Sequence, residues 1–442
     1  MIASVLQKSL LMARLFRERL GASYLTERLA RGAFWSLSSA LLLRGMTLAT
    51  SIMMARFLGK AGFGQLGILQ STVVTSGVFA GFGMSLTASK YVAEFREKDP
   101  VRTGKIISFC LWVSVVGGAI VSLVLALFAP WLAARIFAAP ELAGPLRVSA
   151  LVIFLGNVNN TQSGVLAGFE AFKTIARVNI LVSVLSFPIM IIGAYYFGLP
   201  GVVWAFAASM ALNCLVNHRA MTEASRSAGI AIGSSGCFQD TRLLWKFSVP
   251  AIIGGLFVDP VNWICGALLV NQPHGFAEMG AYNAAYQWRQ AIQYFPMTLS
   301  TIALPILSNL YGKEDKTEYK HLLRSNLMLN SVVAVIAVIA VSFASRMIMQ
   351  SYGGEFAANS MVLVLLACSA GLVSISFVIG SAILSSGKAW HGFAFNALWA
   401  VLMLMCAYTL IPGYGSKGLA LANLIAYIVL VAAQLLYLRK VA

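Results

Sequence analysis

The sequence predicts an all-α membrane protein of about twelve transmembrane helices, and three observations support this fold class. Of the 442 residues, 59% are hydrophobic and only 11% are charged, whereas roughly 25% are charged in an average soluble domain. Apolar stretches of about 20 residues, enough to cross a hydrocarbon layer of about 30 Å as a helix, recur along the chain. Long apolar runs such as residues 332–343 do not alternate with polar residues, as the strands of a membrane barrel do.

Polar interruptions between the apolar stretches set the spans and the domains. The predicted spans are residues 34–57, 68–90, 106–129, 147–168, 176–197, 200–218, 247–270, 281–306, 326–349, 360–384, 391–411 and 417–438. The longest polar interruption, at residues 219–246, divides the twelve spans into two groups of six. The predicted domains are a basic, amphipathic N-terminal segment 1–33, a six-helix bundle 34–218, a linker 219–246, a second six-helix bundle 247–438 and a tail 439–442.

The distribution of positive charge predicts the orientation. The net charge is +17. When basic residues near span ends are counted with the adjacent loop and Arg44, Arg56 and Arg289 are counted within spans, 24 of the 32 Lys and Arg residues fall in the termini and alternate loops, and the other loops hold five. Basic loops stay on the cytoplasmic side of a membrane, so both termini are predicted to be cytoplasmic. Because the basic residues lie between spans, they are expected to meet lipid headgroups, and binding to nucleic acid is not predicted.

The two predicted bundles resemble each other. The segment SGVLAGFEAF from Ser163 and the segment SAILSSGKAW from Ser381 share the end of a fourth helix, 218 positions apart. Gly201 and Gly418, each just before the last span of a bundle, lie 217 positions apart. Six spans per half imply a parallel repeat about an axis normal to the membrane, with a central cavity between the halves.

Arg44 is the strongest candidate for a site in that cavity, because an ionisable residue inside a span normally faces protein or water. It shares one helical face with small and polar residues three or four positions apart, namely Ser36, Ala40, Thr47 and Ser51. Either this face lines the cavity, or Arg44 forms a structural ion pair with a carboxylate such as Asp259. Arg56 lies near a helix end, where its side chain reaches the interface without a functional role.

Arg289, in the eighth span, belongs to a second group of candidate substrate-binding residues. Tyr282, Tyr286 and Gln293 fall on the same helical face at spacings of four, three and four. Aromatic rings and amides suit sugars, and a guanidinium group can bind a phosphate through two hydrogen bonds. The alternative is a face packed against neighbouring helices.

Further candidates are Asp259 and the polar run in the fourth span. Asp259 is the only carboxylate that lies well inside a predicted span. It either couples transport to an ion or pairs with an arginine. The polar run consists of Asn157, Asn159, Asn160, Thr161 and Gln162. It either faces the cavity through Asn160 or joins helices by hydrogen bonds. The six cysteines and four histidines show no metal-ligand spacing, so neither a metal nor another cofactor is expected.

The chain resembles the Wzx-type polysaccharide flippases of the multidrug/oligosaccharidyl-lipid/polysaccharide exporter superfamily. The resemblance covers nearly the whole chain and is carried by LRGMTLATSIMMARFLGKAGFGQLG, by GFGMSLTASKYVAEFREKDP and by LPILSNLYGKED. It implies the fold of the multidrug (MATE) exporters, a place in the bacterial inner membrane, and passage of an undecaprenyl-diphosphate-linked oligosaccharide to the periplasmic leaflet. It also implies a polysaccharide polymerase and a chain-length regulator as partners. Arg44 and Arg289, one from each half, are then expected to hold the diphosphate.

Two other functions stay open at this point. An ion-coupled multidrug exporter would depend on an embedded carboxylate, which only Asp259 supplies. A membrane-embedded glycan polymerase or ligase would need a large periplasmic loop with catalytic residues, and the predicted outer loops are short, so the chain is not expected to be an enzyme. For the flippase, replacement of Arg44 or Arg289 by alanine is expected to stop glycan export without preventing folding.

Overall fold

The computed structural model describes residues 24–233, 257–312, 316–386 and 388–441, and this part of the chain is helical without β-strands. The predicted all-α class is therefore confirmed. The basic N-terminal segment up to residue 23, the linker from residue 234 with Cys237, and the first part of the seventh predicted span lie outside the described residues. The helices are α1 Tyr24–Gly81, α2 Met84–Phe95, α3 Pro100–Trp131, α4 Ala143–Gly168, α5 Phe172–Ser227, α6 Val258–Val270, α7 Gly275–Gly312, α8 Lys316–Phe343, α9 Ser345–Tyr352, α10 Ser360–Ser385 and α11 Ala389–Val441.

Three of the helices are long enough for two spans: α5 and α11 each contain two predicted spans, and α1 contains the first and most of the second. With 58, 56 and 53 residues, α1, α5 and α11 are far longer than the about 20 residues that one crossing needs. Each is broken at one glycine with a positive φ, namely Gly59 (67°), Gly198 (58°) and Gly415 (54°). These are conformations that a residue with a Cβ rarely adopts. The breaks fall in the predicted loops between spans.

Length and composition identify the chain as a multi-pass membrane protein. Within the described residues, six helices are long and apolar enough to cross a membrane, and a bent pair, Leu43–Gly81 with Met84–Phe95, forms a seventh candidate. The pair is bent by 47°, at the left-handed residues Phe82 and Gly83. At this turn the chain changes direction, so α2 is tilted relative to the end of α1.

The internal repeat is visible in the way the last two spans of each half pack. A Cβ placed on Gly201 would lie 2.2 Å from the carbonyl oxygen of Gly193, and one placed on Gly418 would lie 2.3 Å from that of Leu410. Gly193 and Leu410 are 217 positions apart, as are Gly201 and Gly418. The two halves therefore repeat the same close contact between antiparallel spans, as the predicted pseudo-symmetry requires.

The two halves share a core at only one end of the bundle. We call this the closed end; it carries Gly59 and the 3-10 helix Gly354–Asn359. Phe63 of the first half and Phe356 of the second half belong there to one apolar cluster, with ring centroids 6.3 Å apart. At the opposite end, the buried clusters of the described residues each belong to one half. The molecule is therefore joined at the closed end and divided at the other.

Polar contacts also cross the closed end. The backbone N–H of Lys60 donates to Oε1 of Glu355 at 3.2 Å, and Nζ of Lys60 donates to Oδ1 of Asn359 at 2.8 Å. Arg56 is exposed and donates from Nε to the carbonyl oxygen of Ser351 at 2.7 Å. Arg56 therefore contacts the second half, in addition to lying near the end of a span as predicted.

Candidate functional site

A cavity of about 290 Å³ lies within the first half, between α1 and α5, with one residue contributed by α7. Each of the two long helices lines it with both of its spans, because each folds back at its glycine break. The polar residues from α1 are Thr47, Thr50, Ser51 and Gln70. Those from α5 and α7 are Ser183, Ser186, Ser209, Asn213 and Gln287. Hydroxyl and amide groups therefore face the cavity from several sides.

The cavity lining contains no Asp, Glu, Lys, Arg or His among the described residues. Ser186 and Ser209 each carry a buried Oγ atom without a hydrogen-bond partner in the described structure. Thr50, in contrast, donates to the carbonyl oxygen of Met46 at 2.8 Å. A buried hydroxyl without a partner is costly unless water or a ligand bonds to it. Because the lining offers hydroxyl and amide groups without an ionisable side chain among the described residues, it suits a neutral, hydrogen-bonding guest.

Arg44 lies at one end of this cavity. It precedes Thr47 by about one helical turn, and its Nη2 donates to the backbone carbonyl of Gln287, which also lines the cavity. Its Nη1 donates to Oε1 of Gln290 at 3.3 Å. The Nε atom is buried without a partner, and no Asp or Glu of the described chain forms an ion pair with Arg44. Arg44 thus joins the halves and keeps a positive charge without a counter-ion.

Arg289 lies apart from the cavity. It is only 4% exposed, and its Cζ lies 5.2 Å from the centroid of the Tyr286 ring and 5.4 Å from that of Tyr427 on α11. Tyr282 is also buried, and its ring stacks on that of Tyr286 at 5.9 Å. Cation–π contacts therefore hold the guanidinium group inside the second half. Gln293, one turn further on, carries an Nε2 atom without a partner in the described structure.

The burial of Arg289 predicts a stability effect. We expect Arg289→Ala to lower the free energy of unfolding by about 2 kcal/mol, because two desolvated ring contacts and the volume of a long side chain are lost. Arg44→Ala, at a half-buried position, should change it much less. Thermal unfolding of the purified variants, followed by tryptophan fluorescence, measures the difference. Equal melting temperatures for wild-type protein and Arg289→Ala would contradict the structural role.

The other predicted residues are dispersed. Asp259 lies half-buried in the first turn of α6, where its backbone carbonyl accepts from Thr75 at 3.2 Å, and it forms no ion pair with a described basic residue. Asn160 is exposed on α4. Its neighbour Asn157 is buried and donates to the carbonyl oxygens of Ala80 and Ser114 at 3.0 and 2.7 Å. Much of the polar run therefore joins helices, while Arg44 and Asp259 remain unpaired with each other.

Only one wall of the cavity was predicted from the sequence. Thr47 and Ser51, expected on the face of Arg44, do line it, but the α5 residues were not singled out. Their spacing carried a signal, since Ser183 and Ser186 are three positions apart and Ser209 and Asn213 four, which places each pair on one helical face.

A family profile described as "Polysaccharide biosynthesis protein" matches residues 29–311. The EPS I polysaccharide export inner membrane protein EpsE of Ralstonia nicotianae is 25% identical over 91% of this chain and 92% of the relative. The lipid III flippase of Escherichia coli is 23% identical over 91% of this chain and 96% of its own length.

Solved structures show the same fold. A multidrug resistance transporter of the MATE family in an inward-facing conformation superposes with a TM-score of 0.75 at 13% identity, covering 92% of this chain and 97% of the other. The lipid II flippase MurJ superposes with a TM-score of 0.72 at 14% identity, covering 91% and 87%. The predicted MATE-like architecture is thereby confirmed.

Proposed function

Because the chain belongs to the polysaccharide biosynthesis protein family, we propose that it moves a lipid-linked oligosaccharide between the membrane leaflets by alternating access. The cargo is an undecaprenyl-diphosphate-linked repeat unit of a surface polysaccharide. The observation that carries this proposal is the hydroxyl- and amide-lined cavity with the unpaired Arg44 at its end. The names of the two relatives, a polysaccharide export protein and a lipid III flippase, agree with it.

The chemistry of the cargo explains why both features are needed. A diphosphate and its sugars cannot cross hydrocarbon unaided, since an unpaired ion inside a bilayer is strongly disfavoured and each sugar hydroxyl would lose its hydrogen bonds. A guanidinium group replaces the hydration of the diphosphate, and hydroxyl and amide side chains replace that of the sugars. We assign the diphosphate to Arg44 and leave the polyprenyl tail in the lipid beside the seam between α1 and α7.

The other predicted residues have a different place in the proposal. Arg289, with Tyr282, Tyr286 and Gln293, lies inside the second half, so contact with the cargo requires a state in which this half opens towards the seam. Asn160, being exposed on α4, stays a predicted contact. Asp259 stays a predicted ion-coupling residue, since the carboxylate is half-buried and unpaired within the described chain.

Transport by the purified protein tests the function. Proteoliposomes should move a polyprenyl-diphosphate oligosaccharide from one leaflet to the other, measured by its accessibility to an added glycosidase, and should not move ethidium. Movement of ethidium alone would favour the multidrug exporter. Turnover of the lipid-linked sugar into a longer or transferred chain would favour the polymerase or ligase.

The location and the partners extend the proposal. We place the protein in the inner membrane with both termini cytoplasmic, as the charge distribution predicts, and with the closed end towards the periplasm. A green fluorescent protein fused to the C-terminus should then fluoresce, and an alkaline phosphatase fused there should be inactive; the reverse result contradicts the orientation. Delivery of repeat units at the periplasmic face would serve a polysaccharide polymerase and its chain-length regulator.

A further inference from the structure

We propose that the cavity of the first half is a binding subsite for an uncharged sugar residue of the cargo, and that it excludes acidic sugars. This inference rests on the proposed function and adds the class of glycan to it. It starts from the cavity lining, which offers hydroxyl and amide groups but no ionisable side chain among the described residues.

The internal repeat shows that the fold does not require these polar groups. Because the last two spans of each half correspond at a separation of 217 positions, every cavity residue of α5 has a counterpart on α11. Ser183, Ser186, Ser209 and Asn213 correspond to Ala400, Met403, Ala426 and Leu430, all of which are apolar and buried. The same backbone arrangement therefore packs well with apolar residues, so the polar groups of the first half are not explained by packing.

The space itself also differs between the halves. Val182 and Met210 of the cavity correspond to Trp399 and Tyr427, whose rings lie 5.6 Å apart in the second half. Arg289 packs on the Tyr427 ring, with its Cζ 5.4 Å from the ring centroid. Within the described residues, the second half thus places large side chains at positions where the first half lines a cavity.

Two hydroxyl groups in the open region lack a partner. The Oγ atoms of Ser186 and Ser209 are buried and make no hydrogen bond within the described structure, although serine inside a helix often bonds to the carbonyl four residues earlier. Ser186 and Ser209 belong to the two spans of α5 and both line the cavity, with their Oγ atoms buried just beneath its surface. Groups of this kind on two walls fit a guest that carries several hydroxyls, such as a sugar.

Charge and size limit the guest. A carboxylate of an acidic sugar would be buried without a counter-ion, because Arg44 lies outside the lining and is assigned to the diphosphate. The volume of about 290 Å³ lies at the low end of ligand pockets, which span roughly 300–1,000 Å³. The subsite therefore takes a small part of the glycan, and its position one turn from Arg44 indicates sugar near the diphosphate.

Binding to protein in nanodiscs tests the proposal with three probes: polyprenyl diphosphate alone, and the same lipid carrying N-acetylglucosamine or glucuronic acid. We expect wild-type protein to bind the N-acetylglucosamine lipid at least tenfold more tightly than either of the others. The variant Ser186→Ala/Ser209→Ala should lose most of this preference and keep its affinity for polyprenyl diphosphate alone. This variant should fold, because neither hydroxyl bonds to the described part of the protein. Ser122→Ala, which removes another unpartnered Oγ outside the cavity, is the matched control.

A second variant reproduces the packing of the other half. Ser186→Met/Met210→Tyr introduces the side chains found at the corresponding positions of α11, fills the cavity, and should reduce binding of the N-acetylglucosamine lipid to the level of the bare diphosphate lipid. Equal binding of the neutral and acidic sugars, or unchanged preference in both variants, would overturn the subsite while leaving the flippase proposal intact. If wild-type protein binds none of the polyprenyl diphosphates, the proposed function fails and the subsite with it.

Discussion

Arg44→Ala is expected to reduce the rate of flipping about 10- to 100-fold. A hydrogen bond to a charged group contributes about 1.5–3 kcal/mol, and about 1.4 kcal/mol corresponds to a factor of ten. The side chain lies where α1 meets α7 and has no carboxylate partner in the described chain, so no described carboxylate neutralises the charge that would attract an anionic cargo. The rate is measured in proteoliposomes with a polyprenyl-diphosphate oligosaccharide.

Two variants show whether the loss reflects binding of the cargo. Arg44→Lys keeps the charge but loses the planar fork, so an intermediate rate is expected if the fork binds two oxygens of the diphosphate. Arg56→Ala removes an arginine at the closed end, where the Nε atom bonds to a backbone carbonyl, and should retain most of the activity. A normal rate for Arg44→Ala, at normal protein levels, would remove Arg44 from the site.

The sequence predicts most of the fold because local signals determine it. The length of the apolar runs sets the spans, and Gly59, Gly198 and Gly415 stand where the chain must reverse. Arg44 was also visible, because a charge inside an apolar run has few structural explanations. These features depend on residues close together in the chain or on the composition of a single span.

The remainder of the site depends on contacts between distant segments. The face of α7 that carries Arg289 is aromatic and polar in the sequence, but whether it borders a cavity or lies inside a half depends on Tyr427, far along the chain. Serines such as Ser186 and Ser209 commonly bond within their own helix. Only the packing around them shows that both residues line a cavity and that their hydroxyls lack a partner in the described structure, so a single sequence gives no direct sign of the subsite.

Gly64→Ala is expected to open the closed end and to stop transport. A Cβ at Gly64 would lie 1.8 Å from the carbonyl oxygen of Phe276 and 2.8 Å from the backbone nitrogen of Gly280. Both are backbone atoms of α7, so no flexible side chain can move aside. Overpacking costs about 1–3 kcal/mol, which corresponds to roughly a 10- to 100-fold shift away from the state closed at this end.

Cross-linking across the closed end measures that shift. The Nζ atom of Lys60 lies 2.8 Å from Oδ1 of Asn359, so cysteines at these two positions, in a protein without its native cysteines, should be joined readily by a short bifunctional thiol reagent. Adding Gly64→Ala should lower the cross-linked fraction at least tenfold. Gly77→Ala lies on the same helix α1 with no neighbour within 4 Å of the added Cβ, and should leave it unchanged. Undiminished cross-linking with Gly64→Ala would show that α1 and α7 tolerate the added methyl group and that their close contact does not hold the halves together. A lower fraction with normal transport would show that this end closes only briefly in the cycle.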